Sequence, residues 1–340
     1  MPITSLVTAQ AQNRARPRVG PDAIVAAALL AAQLRPARDR AAPAGSASTV
    51  IVRRTPARPA SSWARLSAGL QSAVPDKRPR DLRLSQFYTR PTIAGLMAQI
   101  FREHFNLDHF QTVEPSAGDG AFLPFLPLDR LAFDIEPKHP GIEAADFLEI
   151  TVQSDLPIMM IGNPPFGQNS NLAKAFFNHA ASQSLVIAMI LPRTFRKASI
   201  QNVLDRNFHL FREVDVPGDA FLFRSEKRTV PAVFQIWIRS DRLRALRWTE
   251  RTHRDFTFVD RADANFAIRR IGVNAGRLYK NPRGEDDSFY FIKGDVWDVM
   301  SMLDFQAVAR DTAGIPSLSK AEIVGLYDER IRLNRSACKA

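Results

Sequence analysis

Ile161-Gly162-Asn163-Pro164-Pro165-Phe166-Gly167 is the stretch on which the fold turns. The apolar run Leu156–Ile161 just before it predicts a short buried strand. Two successive prolines supply no N–H and fix φ, so the strand cannot continue past the asparagine. Asn163 therefore stands at a strand's C-terminal tip, followed by a proline carbonyl and an aromatic ring. In open α/β sheets that edge is where ligands bind. Asn-Pro is also a common turn dipeptide, so the meaning of the stretch depends on what accompanies it.

Its companions lie upstream in a fixed order. Ser85-Gln86-Phe87-Tyr88-Thr89-Arg90-Pro91 precedes a segment, Thr92–Phe105, whose apolar residues recur at helical spacing. Thr112-Val113-Glu114-Pro115-Ser116-Ala117-Gly118-Asp119-Gly120-Ala121-Phe122 predicts a strand running into a glycine turn, where Gly118 and Gly120 let the backbone approach a ligand. A second strand, from Leu131, ends in the acids Asp134 and Glu136 on either side of Ile135. An acid at the end of the second strand can accept both hydroxyls of a ribose, and Asp134 is the first choice for that task. Asp146-Phe147 closes a third strand-like piece. After the asparagine come a helix over Asn171–Ser182, a buried strand over Leu185–Leu191, a basic segment holding Arg193 and Lys197, and two further strands over Phe211–Val216 and Val233–Ile238.

These motifs, in this order, resemble the S-adenosylmethionine-dependent amino-methyltransferases, chiefly the N6-adenine enzymes of nucleic acids. The resemblance covers roughly residues 85–240. It implies an α/β fold, a doubly wound Rossmann-like methyltransferase sheet, and S-adenosyl-L-methionine as cofactor. Tyr88 and Thr89 would belong to the methionine pocket, where Arg90 before the proline is a small departure. Glu114, Pro115, Ala117, Gly118 and Gly120 would form the cofactor loop, with Asp134 and Ile135 at the ribose and Asp146 and Phe147 at the adenine. Asn163 would also touch the cofactor. Asn163, Pro164, Pro165 and Phe166 would be the catalytic motif. An exocyclic amine is a poor nucleophile because its lone pair is delocalised into the ring. The Asn163 side-chain oxygen and the Pro164 carbonyl would accept its two N–H groups and stabilise the positive charge that grows during attack. Phe166 would stack on an extruded base. Transfer of a methyl group to adenine N6 in DNA is the expected reaction. RNA adenine, a protein glutamine side chain (the release-factor enzymes carry Asn-Pro-Pro-Tyr) and a noncatalytic nucleic-acid-binding role on the same scaffold stay open.

Composition bounds the rest. The 340 residues are 45% apolar, enough for a real core. One cysteine, Cys338, excludes an internal disulfide framework and a cysteine metal cluster, and the six histidines show no ligand spacing, so no metal site is expected. The longest aliphatic run is too short to span a bilayer, and a cytoplasmic location is expected. The net charge is +11, but residues 1–80 hold thirteen Lys or Arg against three acids, which leaves the remainder near neutral. Three domains are expected: 1–80, a disordered basic leader rich in Ala, Arg and Pro with one short helix over Ile24–Leu34; 81–242, the methyltransferase domain; and 243–340, a β-rich target-recognition region. The leader is a passive tail, a basic arm or a targeting segment, and a chain starting near Asp81 should fold as the whole does. In the last region glycine, arginine and aromatic residues interleave, as on a surface that grips nucleic acid, and the resemblance implies double-stranded DNA as the partner. Arg193, Lys197, Arg269, Arg270 and Arg277 are the expected nucleic-acid contacts.

Overall fold

The structure, a computed structural model, describes residues 49–54, 87–223 and 226–337. The predicted helix over Ile24–Leu34, the rest of residues 1–48, and residues 55–86 with Ser85 and Gln86 lie outside the described residues. Two compact units are present: Met1–Leu191 with Asp205–Arg244, and Pro192–Leu204 with Ala245–Ala340.

The first unit begins with β1 (Val50–Arg54), β2 (Tyr88–Thr89) and α1 (Pro91–Arg102). Pro91 fits the first turn of α1 because its missing N–H has no partner there in any helix. Ile93, Met97, Ile100 and Phe101 then fall on one buried face. Next come β3 (Gln111–Glu114), β4 (Leu131–Asp134), β5 (Glu143–Ala144), β6 (Ile150–Ser154) and β7 (Ile158–Gly162). They are followed by α2 (Asn171–Ala181), β8 (Val186–Pro192) and β9 (Phe208–Asp215), with α3 (Ala198–Gln201) of the second unit lying between the last two in sequence. β10 (Phe221–Phe223), β11 (Glu226–Arg228) and β12 (Ala232–Arg239) complete the set.

Seven strands form one sheet in the order β5-β4-β3-β7-β8-β12-β9. The pairs from β5 through β8 are parallel, and β12 runs antiparallel to β9. Every residue of β7 and β8 is buried, which explains their unbroken apolar sequences. One face packs against α1, which shares a core with Met159, Ile161, Ala188, Ile190, Phe234 and Ile236. The other face meets α2, where Phe177 lies edge-on to Trp237 at 5.4 Å. The sheet is therefore covered on both sides, as a doubly wound α/β fold requires. Chain order reverses between β3 and β7, so the crevice of the fold opens where Glu114 and Gly162 end their strands.

Two features depart from the expectations. Residues 50–54, assigned to the disordered leader, form β1 and pair antiparallel with β6 from Val50↔Ser154 to Arg54↔Ile150. The local run Val50-Ile51-Val52 is β-branched, and pairing with β6 half-buries Val50 and Val52. An exposed ion pair, Arg54–Glu143, lies at its end. The other departure is that Tyr88-Thr89 joins a second small sheet, β11-β10-β2, by pairing with Phe221 and Leu222.

The second unit is not purely β. It holds a four-stranded antiparallel sheet of β13 (Thr257–Val259), β14 (Phe266–Arg269), β15 (Leu278–Tyr279) and β16 (Phe289–Lys293) in the order β13-β16-β14-β15. It also holds α4 (Trp297–Ser301), α5 (Phe305–Ala309) and α6 (Lys320–Ala337). Ile268 and Ile292 of the sheet share a core with Met300, Phe305, Ile323 and Tyr327 of the helices. Ser319 and Glu322 cap α6 reciprocally: the Ser319 N–H donates to Glu322 Oε2 at 2.8 Å and the Glu322 N–H to Ser319 Oγ at 3.3 Å.

Candidate functional site

At the reversal point lies an open cleft, the place where ligands bind in folds of this kind. β3 delivers Glu114 to its wall, the turn after β3 delivers Pro115 to Asp119, β4 delivers Asp134 and Ile135, and β7 delivers Asn163 and Pro165. Phe87, Tyr88 and Thr89 close one side, and Phe147 and Phe176 another. Of the residues named from sequence, Tyr88, Thr89, Glu114, Pro115, Ala117, Gly118, Asp134, Ile135, Phe147, Asn163 and Pro165 meet at this one place. Gly120, Asp146, Pro164 and Phe166 fall outside the lining.

Gly118 takes φ +55°, a conformation that costs an L side chain about 1–2 kcal/mol. A Cβ there would also stand 3.0 Å from the Tyr88 ring. Its N–H donates to Asp134 Oδ2 at 2.8 Å, while Asp134 Oδ1 accepts the Glu136 N–H at 2.8 Å. Asp134 thus clips the glycine turn to the end of β4. Each carboxylate oxygen keeps a second lone pair, so the same group can still accept a ligand hydroxyl. Gly120 is needed for a different reason: at φ +86° its missing Cβ would meet Leu123 at 2.9 Å. Asp146 Oδ1 accepts the Leu148 N–H at 3.0 Å and caps a short 3-10 turn, which sets Phe147 in the cleft wall. Phe147 is itself held edge-on by His179 at 4.8 Å.

The electrostatics are acidic. Glu114 is buried, and its Oε2 has no hydrogen-bond partner. Burial pushes the Glu114 carboxyl well above the usual carboxylate range, the Asp119 and Asp134 charges push the same way, and Arg130 opposes. Burial also raises Asp119, though backbone N–H donors hold it back. Lys138 Nζ lies 5.4 Å from the Tyr88 ring centroid at the same loop. Burial raises the Tyr88 phenol, against the pull of Lys138. A wall of carboxyl groups and unspent acceptors suits a cationic ligand that carries N–H and O–H donors. It does not suit a pyrophosphate. The turn after β3 leads into the short 3-10 turn Leu123–Phe125, so no long helix N-terminus follows to receive phosphate oxygens.

Asn163 is held from two sides. Its Nδ2 donates to the Phe87 carbonyl at 3.0 Å, and its backbone carbonyl accepts from Ser116 Oγ at 2.9 Å. Because a carbonyl can pair only with the NH₂ end of the amide, the side-chain oxygen is fixed on the opposite side. That atom, Oδ1, is covered and has no hydrogen-bond partner. An acceptor in this condition costs about 1–3 kcal/mol unless a donor reaches it. Phe166 is half-buried and packs edge-on against Phe221 at 6.1 Å.

The expected nucleic-acid residues separate. Arg269, Arg270 and Arg277 belong to the β14–β15 hairpin of the second unit, and Arg277 is exposed. Arg193 is half-buried in the segment that follows β8. Lys197 is a correction. Its ammonium lies inside the second unit, 2.9 Å from Glu322 and donating to the Ser317 carbonyl at 2.7 Å, so it is not on an accessible basic surface. A lysine in a basic run reads as surface until its partner, far along the chain, is known. Sequence reasoning also passed over Phe87, Ser116 and Asp119, which shape the cleft or hold Asn163. All three sit inside motifs already quoted, and only their roles were missed. Among the described residues no group of three or more His, Cys, Asp or Glu is arranged to hold a metal ion, and no helix is long and apolar enough to cross a membrane.

No family model and no curated protein matches the chain. Among solved structures it is similar to a protein provisionally assigned as an RNA methyltransferase from Pyrococcus horikoshii, at 16% identity and TM-score 0.37, over 52% of this chain and 98% of that one. It is similar to a modification subunit of a provisionally assigned type I restriction enzyme from Vibrio vulnificus, at 16% identity and TM-score 0.35, over 47% and 46% of the two chains. It is also similar to magnesium protoporphyrin IX methyltransferase from Synechocystis, solved with S-adenosylmethionine bound, at 15% identity and TM-score 0.31, over 48% and 86%.

Proposed function

We propose that this chain binds S-adenosylmethionine in the β3–β7 cleft and transfers its methyl group to the N6 amine of adenine in DNA. The observation that carries the proposal is the Asn163 Oδ1 atom: an acceptor without a partner, fixed in direction by its own amide, at the tip of the strand beside the reversal point. The cofactor supplies an electrophilic methyl group on a sulfonium. The residues around the cleft supply the rest. Glu114 and Asp119 offer carboxyl groups to a cationic ligand, Gly118 brings backbone against it, and Asp134 keeps lone pairs for hydroxyls. Asn163 Oδ1 and the Pro164 carbonyl accept the two N–H groups of the amine. Both bonds strengthen as positive charge develops on nitrogen, so they lower the barrier more than they tighten binding. The exposed part of the Phe166 ring stacks on the base. Arg269, Arg270 and Arg277 of the second unit contact phosphates.

Mass spectrometry of nucleosides from cells making the protein tests this reading. N6-methyladenine in DNA is the expected product. The same product confined to RNA would reassign the substrate. Absence from both, with the purified chain also inert on DNA and RNA, would remove the reaction.

A further inference from the structure

The loop that joins β14 to β15 is ordered well beyond what its length demands. Arg269 and Arg277 close it, with the Arg269 N–H donating to the Arg277 carbonyl at 2.9 Å and the Gly276 N–H returning to the Arg269 carbonyl at 2.7 Å. Gly276, at φ +89°, lets the backbone pass where a Cβ would stand 2.5 Å from the Gln306 nitrogen. A second loop braces it from the side: the Gly272 N–H donates to the Pro316 carbonyl at 3.0 Å, and the Leu318 N–H to the Arg270 carbonyl at 2.8 Å. Ala275 plugs into the core of the unit. Yet Val273, two positions earlier, is 89% exposed, and Ile271 and Ile315 on the two braced loops are exposed with it. The fold thus holds an apolar tip out into water on a rigid support.

The surroundings state what the tip is for. Residues 269–284 contain Arg269, Arg270, Arg277, Lys280 and Arg283 and no acid; the acids Glu285, Asp286 and Asp287 follow directly, with Asp286 paired to Arg261. Arg269 stacks over Phe289 at 5.2 Å, Arg270 over Tyr290 at 5.6 Å and Arg277 over Tyr279 at 5.6 Å. Stacking occupies the flat face of a guanidinium and leaves most of its N–H edge for an anion. Among the described residues no acid forms an ion pair with Arg270 or Arg277. Tyr290 and Phe289 are successive residues of β16 and point to opposite faces of the sheet, so the pre-ordered cations flank the tip on both sides. A polyanion with apolar layers between its charged edges is the complement of this surface, and duplex nucleic acid has that form.

We propose that the β14–β15 hairpin enters a nucleic-acid duplex and that Val273 is an apolar wedge, inserted between base steps while Arg270 and Arg277 hold the flanking phosphates. The proposal rests on the nucleic-acid reading above and adds to it a site and a mode of entry. Side chains of this kind unstack a step at a cost that backbone contacts repay.

The test uses the full chain and a duplex carrying 2-aminopurine, whose fluorescence rises on unstacking, at successive positions across a bound site. The parent should raise the signal at one step other than the target adenine and its two neighbours, which are left unlabelled because extrusion of that base raises the signal by itself. Val273→Ser, at an exposed position, should abolish the rise and leave the salt dependence of binding unchanged. Arg270→Ala and Arg277→Ala should each reduce the salt slope by about one, because each removes one phosphate contact. A Val273→Ser protein that still raises the signal overturns the wedge. So does a parent that binds duplex without unstacking it, or a Val273→Ser protein whose only change is a lost self-association in sedimentation. Asn163→Ala serves as the control for the reaction: it should unstack the step normally. If the parent binds no nucleic acid at all, the proposed function fails as well, and the two failures are thereby told apart.

Discussion

Asn163→Ala separates a group kept for chemistry from a group kept for folding. Removing the side chain deletes the Nδ2 bond to the Phe87 carbonyl, a neutral hydrogen bond whose net contribution is about 1 kcal/mol. It also deletes the covered Oδ1 that has no partner, which relieves a penalty of about 1–3 kcal/mol. The two changes oppose each other, so the variant should lie between the parent's stability and about 2 kcal/mol above it, an upward melting shift of no more than roughly 4–8 °C for a chain of this size. The rate should behave differently. An acceptor that strengthens as the amine gains charge acts in the transition state, and losing one such group lowers turnover by about 100-fold or more, equivalent to about 2.7 kcal/mol. Differential scanning calorimetry gives the first quantity. Single-turnover transfer of a labelled methyl group to duplex DNA, at saturating cofactor, gives the second. A stability loss above about 2 kcal/mol would show that Oδ1 is satisfied in the folded protein. Methyl transfer at the parent rate would refute the role of Asn163 outright.

Three further outcomes are expected. Glu114 holds its proton in the folded protein to a higher pH than in the unfolded chain, so folding stability should fall as pH rises from the usual carboxylate range toward the folded value; Glu114→Gln should flatten that slope in melts between pH 4 and 8, and an unchanged slope would place its origin elsewhere. Gly118→Val must abandon φ +55° and displace Tyr88, so titration calorimetry should show adenosylmethionine binding lost, and unaltered affinity would exclude this turn from the cofactor site. A chain starting at Asp81 lacks β1 and loses the half-burial of Val50 and Val52 beside β6, worth about 2 kcal/mol together, so it should melt below the full chain rather than with it.

What the sequence made legible was what depends on neighbours along the chain. The proline pair that ends β7, the glycines of the turn after β3 and the acid that ends β4 each act within a few residues, and Pro165, Gly118 and Asp134 from them meet at one cleft. The parts that escaped depend on distant partners. Lys197 reads as surface because Glu322, which neutralises it, is far away in sequence. β1 disappears into a leader whose average composition hides five strand-forming residues, and its strand partner β6 was not itself anticipated. Phe87 stands in a helix-leading motif, but nothing local says that its carbonyl orients the Asn163 amide. Phe166 keeps an aromatic identity suited to a base, and only the folded chain shows Phe221 against its edge.

The path of residues 192–204 bears on how such a protein can be rebuilt. The chain leaves the seven-stranded sheet after β8, contributes this segment to the second unit, and returns for β9. There Arg196 faces Asp311 at 3.6 Å and Lys197 faces Glu322 at 2.9 Å, all four side chains at most 10% exposed. Ending the gene near residue 243 would therefore not release the first unit cleanly. It would strand two cations evolved for burial, together with Phe195, on a stub in the middle of the remaining sheet. A buried pair broken on one side costs about 3–5 kcal/mol, a large part of the stability of a typical domain. The two units are interleaved along the chain, so an exchange of the second unit would have to carry residues 192–204 together with the C-terminal segment.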